Sequence, residues 1–275
     1  MEIAAFYENI AQGAESLHIP VEEALKSLKE KGMTRVYLCD RTFYEVKDDL
    51  MPVLKGLGIA IEGFFSFGDY GHAPDSESYK ELIHLAKDCG AGNVLIVPGM
   101  IGEDEKDQAE ILVKNMIHAM ANAAAYGKSQ GVCVSMEDFD GLAAPFCSVK
   151  GLKAFMDAIP ELYCSFDTGN FIMYHEDETD AFELFKDRLC TIHMKDRSDT
   201  PLYPGDRAKV CADGVKKYPS PVGYGNIAIK EILSRLKEIG YPGNVIVDMM
   251  DCDGEHVLEG IEKSVLSLKE QIDGE

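Results

Sequence analysis

The chain of 275 residues carries 27 Lys+Arg against 48 Asp+Glu, a formal charge of −21, with 46% hydrophobic and 27% charged residues. That length accommodates a packed core, and that composition excludes global disorder. So acidic a chain repels phosphate backbones and anionic lipid, which argues against a nucleic-acid or membrane-surface partner.

In chain order, Ile3–Tyr7 is the first short run of apolar and aromatic residues. Val21–Lys31 follows as a helical pattern, with Val21, Leu25 and Leu28 on one stripe and a stop at Gly32. Arg35–Cys39 and Ala60–Phe67 read as the second and third strands. Ser76–Cys89 reads as a helix with Leu82, Leu85 and Ala86 inward, then Asn93–Pro98 as the fourth strand. Asp107–Gln130 is a long Ala- and Met-rich helical stretch before the fifth strand, Val132–Met136. Ser148 suits the N-cap of a helix over Val149–Ala158, and Leu162–Phe166 and Cys190–Met194 supply strands six and seven. From Arg197 to Gly225 the pattern turns irregular and Pro/Gly-rich, with Lys209, Lys216 and Lys217 inside it; a loop this long in a compact domain is usually functional or disordered. Ile227–Ile239 is helical up to Gly240, Asn244–Val247 is the eighth strand, and Glu255–Ile272 is a closing helix.

Eight short, mostly unalternating strands, each with room for a helix after it, predict an α/β fold with a parallel sheet. Eight units are the number that closes a (β/α)8 TIM barrel. A doubly wound open sheet would favour a glycine-rich phosphate loop after the first strand, and Tyr7–Gly13 offers no GxGxxG. No linker divides the chain, so residues 1–275 read as a single domain. No apolar run approaches the ~18 residues of a membrane span. The first residues lack a basic segment followed by an apolar run, so no secretory signal is predicted. The eight cysteines lack CxxC spacing, and Cys39, Cys133, Cys164 and Cys190 sit in apolar runs as small hydrophobes. The expected setting is reducing and cytoplasmic.

Reactive side chains in such a barrel stand at the carboxyl ends of the strands. The ends of strands five to eight carry Glu137, Asp167, His193 and Asp248. Neighbouring strands lie ~4.8 Å apart, so four such groups aimed inward can converge on one point. Three carboxylates and one imidazole form an oxygen-rich site for a single divalent ion, Mn²⁺ preferred, with Zn²⁺, Mg²⁺ or Co²⁺ as alternatives. A dication would also relieve their mutual repulsion. The plain alternative is that each residue caps its own strand.

The segments Val134-Ser135-Met136-Glu137, Phe166-Asp167-Thr168-Gly169-Asn170 and Ile192-His193-Met194-Lys195-Asp196 resemble the strand-five Glu, D-x-G-[HN] and HxKD motifs of the sugar phosphate isomerase/epimerase superfamily, the xylose isomerase-like barrels. Val222–Ile227 and the Gly240-Tyr241-Pro242-Gly243 approach to strand eight are similar to that family too. The resemblance covers most of the C-terminal half. It implies Glu137, Asp167 and His193 as metal ligands with Asp248 as the fourth, and Glu137 and Asp248 as an acid/base pair on opposite faces of a substrate carbon. Asp248 departs from the Glu normal at that place, and its reach shortens by about one C–C bond. Asn170 departs from a substrate-contacting His. Asp251 and Asp253 lie downstream as stand-ins for the fourth carboxylate.

The implied activity is that of a metal-dependent isomerase or epimerase acting on a sugar, sugar phosphate or related polyol, which Glu137 would deprotonate next to a carbonyl. A dehydratase or lyase of the same superfamily, and a barrel that binds a metabolite without catalysis, are the alternatives. Asn170, Lys195, Arg197 and His72 are the candidate substrate-binding residues. Lys195 alternatively pairs with a rim carboxylate, and Arg197 alternatively is a solvated loop residue. The family's nuclease branch needs additional His ligands; His18, His84 and His118 fall away from strand ends, and the charge is adverse to DNA. The partner expected is a small sugar or polyol, with no nucleic acid and no membrane; a homo-oligomer is allowed.

Overall fold

In the computed structural model, which describes residues 1–274, eight parallel strands close into a barrel. The strands in chain order are β1 (Ile3–Phe6), β2 (Met33–Cys39), β3 (Ala60–Phe67), β4 (Asn93–Val97), β5 (Cys133–Met136), β6 (Tyr163–Asp167), β7 (Leu189–Met194), β8 (Asp196–Ser198), β9 (Lys209–Val210), β10 (Lys216–Ser220) and β11 (Val245–Val247). Around the barrel they run β1, β11, β7, β6, β5, β4, β3, β2, with β2 returning to β1. The (β/α)8 barrel expected from the alternation therefore forms, and the open doubly wound sheet does not.

Nine helices surround it among the described residues: α1 (Tyr7–Ser16), α2 (Val21–Lys31), α3 (Asp40–Leu57), α4 (Tyr79–Asp88), α5 (Ala109–Gln130), α6 (Val149–Ala158), α7 (Glu178–Phe185), α8 (Ile229–Glu238) and α9 (Val257–Asp273). Ser148 caps α6 as predicted, its Oγ accepting the Gly151 N–H at 3.2 Å. Gly32 ends α2 at φ 124°, which only a residue without Cβ adopts readily. None of these helices is long and apolar enough to cross a membrane. The cysteines are all unpaired.

Three helices carry no pattern that the sequence reading singled out. Tyr7, read as the end of the first strand, begins α1, and Phe6 before it offers no side-chain cap. α3 encloses Pro52 and buries only Phe43, Leu50 and Leu54 of its 18 residues, too sparse a stripe to stand out. α7 is short, although Asp177 caps it by accepting the Thr179 and Asp180 N–H groups. The irregular stretch before Gly225 holds the separate antiparallel sheet β8-β10-β9. Pro219 lies in its middle strand, a place that ordinarily excludes proline. β10 pairs with β9 only at Lys216 and Lys217 and with β8 only from Tyr218 to Ser220, so each half of the strand has a free edge.

Two apolar cores result. A large one lies between strands and helices, and a smaller one of Ala4, Phe6, Tyr37, Phe65, Leu95 and Ile246 fills the barrel lumen. On β5, β6 and β7 the lumen turns polar. Ser135, Ser165 and Thr191 form a buried hydroxyl chain, with links of 2.7 and 2.6 Å. Two residues further along each strand, on the same face by the period of two, stand Glu137, Asp167 and His193.

Candidate metal centre and its cavity

Glu137, Asp167 and His193 each offer one ligand atom such that all three lie within 4.8 Å of one another. All three are buried. Glu137 Oε2 is 3.1 Å from His193 Nδ1. Phe6 and Tyr37 pack edge-on against the His193 ring at 5.2 and 5.4 Å, which holds its orientation. Asp167 Oδ1 accepts the Gly169 N–H at 2.8 Å. Its Oδ2 receives no hydrogen bond, although the Lys195 ammonium is 3.2 Å away, and His193 Nε2 has no partner. Buried polar atoms without partners are costly, and a cation answers all of them at once. Burial raises the Asp167 carboxyl to about 7; Lys195 works against this, and the charges of Asp248 and Glu137 work with it. Asp138 beside it is pushed well above the usual range by burial and by Asp167 and Glu137.

The motif residues between the ligands tie the strand ends together. Thr168 Oγ1 donates to the Lys195 carbonyl at 2.8 Å and accepts the Lys195 N–H at 3.0 Å. Gly169 lies so close to Lys195 that a Cβ there would meet its backbone carbonyl. Asp196 accepts four backbone N–H groups, from Arg197, Gly223, Gly225 and Ile227, at 2.8 to 3.1 Å.

Asp248 stands outside the group of three. The register pairs His193 with Ile246, so Asp248 is two residues further along its strand, about 6.5 Å. It is level with Lys195, and Lys195 Nζ lies 2.9 Å from its Oδ2. Its Oδ1 accepts the Met250 N–H at 2.9 Å. The stand-ins are engaged elsewhere: Asp251 with Arg197 at 2.7 Å, Asp253 with His256 at 2.6 Å.

A cavity of about 400 Å³ opens above this layer. Its lining mixes apolar side chains, Phe6, Phe65, Leu95 and Met250 among them, with the polar Glu137, Asp140, Asn170, Lys195, Lys209 and Asp248. Lys195 is buried and also reaches Asn170 Oδ1 at 3.1 Å and Asp140 at 3.6 Å. Burial disfavours its charge, but Asp167, Asp248 and Asp140 outweigh that and hold the ammonium well above its ordinary range.

Two predicted substrate contacts do not line this cavity. Arg197, whose alternative was a solvated loop residue, is 1% exposed. Its guanidinium is taken up by Asp251 at 2.7 Å and Asp140 at 2.9 Å. His72 is on the rim, half-exposed between Asp69 at 2.7 Å and Glu105 at 2.6 Å.

Sequence reasoning passed over Glu8, Asp138, Asp140 and Lys209. Asp138 and Asp140 follow Glu137 in a segment with no periodic signal, and Lys209 comes from the irregular stretch. Glu8 had a usable signal: it is a carboxylate just past the end of the first strand, in the first turn of α1. A second group, His175, Cys211 and Asp213, lies apart from the cavity, with His175 and Asp213 exposed and 2.9 Å apart.

The sequence model of the family described as xylose isomerase-like TIM barrel matches residues 54–271. No curated protein matches the chain by sequence. Among solved structures, the IOLI protein with a bound zinc atom superposes with a TM-score of 0.75 at 15% identity, covering 99% of this chain and 98% of that one. D-allulose 3-epimerase from Methylomonas sp. gives 0.69 at 12% identity, covering 98% of each chain. AsbF from Bacillus anthracis, described as a "probable 3-DHS dehydratase", gives 0.68 at 14% identity, covering 97% of this chain and 99% of that one. At such identities these structures establish a shared fold.

Proposed function

The chain belongs to the xylose isomerase-like TIM-barrel family, and on that premise we propose that it is a divalent-metal-dependent isomerase or epimerase. Its substrate is a sugar, sugar phosphate or related polyol, which places it in carbohydrate metabolism. The observation that carries this reading is the buried group Glu137, Asp167 and His193, of which Glu137 lines a cavity that carries both apolar and charged side chains. The donors fit an ion: Asp167 Oδ2 and His193 Nε2 are buried and lack hydrogen bonds. Two carboxylates and an imidazole suit borderline ions, Mn²⁺ preferred and Zn²⁺ next.

Held by these three residues, the ion supplies Lewis-acid polarisation of a substrate carbonyl. Glu137 lines the cavity and takes the proton from the neighbouring carbon. Lys195 and Asn170 hold substrate oxygens, the ammonium as a donor and the amide as either partner. Asp248 fixes Lys195 through the 2.9 Å contact instead of completing the ligand set. Phe6 and Phe65, both buried, line the same cavity and exclude water from it.

The test is deuterium incorporation from D₂O into a panel of ketohexoses, ketopentoses and their phosphates with the Mn²⁺-loaded protein. Expected is exchange next to the carbonyl that is abolished by chelation and falls at least ~10²-fold in Glu137→Gln. Loss of water from an exchanging substrate would redirect the reading to a dehydratase. Metal-loaded protein that exchanges nothing across the panel would make the barrel a binder.

A further inference from the structure

Two-sided chemistry on one carbon needs a second acid or base facing Glu137, and the resemblance assigns that to Asp248. The geometry argues otherwise. Both Asp248 oxygens are in use, one on the Lys195 ammonium at 2.9 Å and one on the Met250 N–H at 2.9 Å. A carboxylate so placed has both oxygens engaged as acceptors and neither turned free to a substrate.

Glu8 occupies a different position. In the cyclic strand order, β1 is four strands from β5 in either direction, so the residues just past their ends face one another across the mouth. Glu8 stands two residues past β1, in the first turn of α1, and Glu137 directly follows β5; both line the same cavity of about 400 Å³. Glu8 Oε1 accepts the Cys39 N–H at 2.7 Å, which anchors the carboxyl. Its Oε2 is buried and has no hydrogen-bond partner. Thr42, on the same side of the cavity, is near enough to ease the charge without a formed hydrogen bond.

An anchored carboxyl with one free buried oxygen lining such a cavity is expensive unless that oxygen carries a proton and meets a substrate. Burial raises its affinity for that proton, and the Cys39 N–H only partly offsets this. Among the described residues no cation pairs with Glu8, in contrast to Asp140 and Asp248.

We propose that Glu8 is the second catalytic carboxyl of this site, delivering a proton to the substrate carbon from the face opposite Glu137. The role rests on the proton-abstraction reading above. Glu137 breaks the C–H bond and keeps the proton, and the electron pair moves into an enediolate. The enediolate pair then takes the Glu8 proton, re-forming C–H with inversion while the carbonyl returns. Nothing is oxidised or reduced overall. Glu8 ends as carboxylate and Glu137 as acid, and exchange with water resets both.

The experiment compares wild type with Glu8→Gln, whose amide oxygen can still accept the Cys39 N–H. Both are loaded with Mn²⁺ and run in D₂O on the same ketose panel, and their metal content and melting are checked for equality. Expected in Glu8→Gln is loss of the inverted product by at least ~10²-fold, while recovered substrate still gains deuterium within ~10-fold of wild type, since Glu137 works alone on its own face. Inversion within about threefold of wild type, or inversion and exchange lost together, would overturn the role. Wild type without exchange would sink the isomerase reading itself, a distinct outcome. A second readout needs no substrate: the infrared difference between wild type and Glu8→Gln at pH 7 should contain the carbonyl stretch of a protonated carboxyl. A carboxylate stretch in its place would count against Glu8 as donor.

Discussion

Asp140 sits among three cations, Arg197 at 2.9 Å, Lys209 at 3.1 Å and Lys195 at 3.6 Å. Burial alone would raise its carboxyl, but Lys195, Arg197 and Lys209 together hold it far below the usual range. A carboxyl whose folded-state pKa is depressed stabilises the fold above its unfolded value, about 3.9, and loses that contribution as pH falls through the folded value. Asp140→Asn keeps the shape and removes the charge, leaving the buried Arg197 with Asp251 alone. The expected cost is about 3 kcal/mol at pH 7. In denaturant unfolding, the gap between wild type and variant should narrow once the pH drops below about 4. A gap that stays constant down to pH 2 would mean that Asp140 acts through packing and not through charge. The same cluster explains why Arg197 was read too simply from sequence. An arginine in a Pro/Gly-rich neighbourhood looks solvated, and only the fold shows Asp140 and Asp251, distant in sequence, enclosing it.

At the level of elements, the strand ends were the most legible part of this chain, because the period of two carries Ser135, Ser165 and Thr191 below Glu137, Asp167 and His193. What could not be read was register. The one-strand pattern Val245–Val247 is equally compatible with Asp248 beside His193 or beside Lys195, and the pairing of Ile246 with His193 decides it. The β8-β10-β9 sheet was equally hidden, since strands of two to five residues with a proline inside carry no alternation. Its attachment was nonetheless written into the HxKD segment. Asp196, 1% exposed, gathers the N–H groups of Gly223, Gly225 and Ile227 and so fastens the far end of the insertion to β7. Gly225 has no alternative there, because a Cβ would meet the Asp196 carboxylate and the Arg197 carbonyl. Asp196→Ala strands several buried donors and should cost about 3 kcal/mol or more. Limited proteolysis should then cut first between residues 199 and 225. Cleavage elsewhere, with that segment still protected, would show that the sheet is held by other contacts.

Across the whole molecule the charge of −21 separates into two populations. Carboxylates such as Glu22, Glu23, Glu30 and Asp104 are exposed on the helical exterior, where water screens them. Glu137, Asp138, Asp140, Asp167, Asp248 and Asp251 are buried at one end of the barrel, where among the described residues Lys195, Arg197 and the half-buried Lys209 are the lysines and arginines that pair with them. That imbalance is a standing cost to the fold, and on the proposed reading it makes ion binding a stability measurement as well as a catalytic one. An ion that binds only the folded state at 100 times its Kd adds ~2.7 kcal/mol. For a domain of this size that corresponds to a rise in Tm of about 5–10 °C. Mn²⁺ or Zn²⁺ added to chelator-treated protein should produce it, with one ion bound per chain by elemental analysis. Asp167→Ala and His193→Ala should lose the shift and the bound ion, weakening affinity by more than the roughly 10- to 100-fold typical of a merely supporting residue. An undiminished shift in both variants would move the ion to another place, with His175, Cys211 and Asp213 the next group to test.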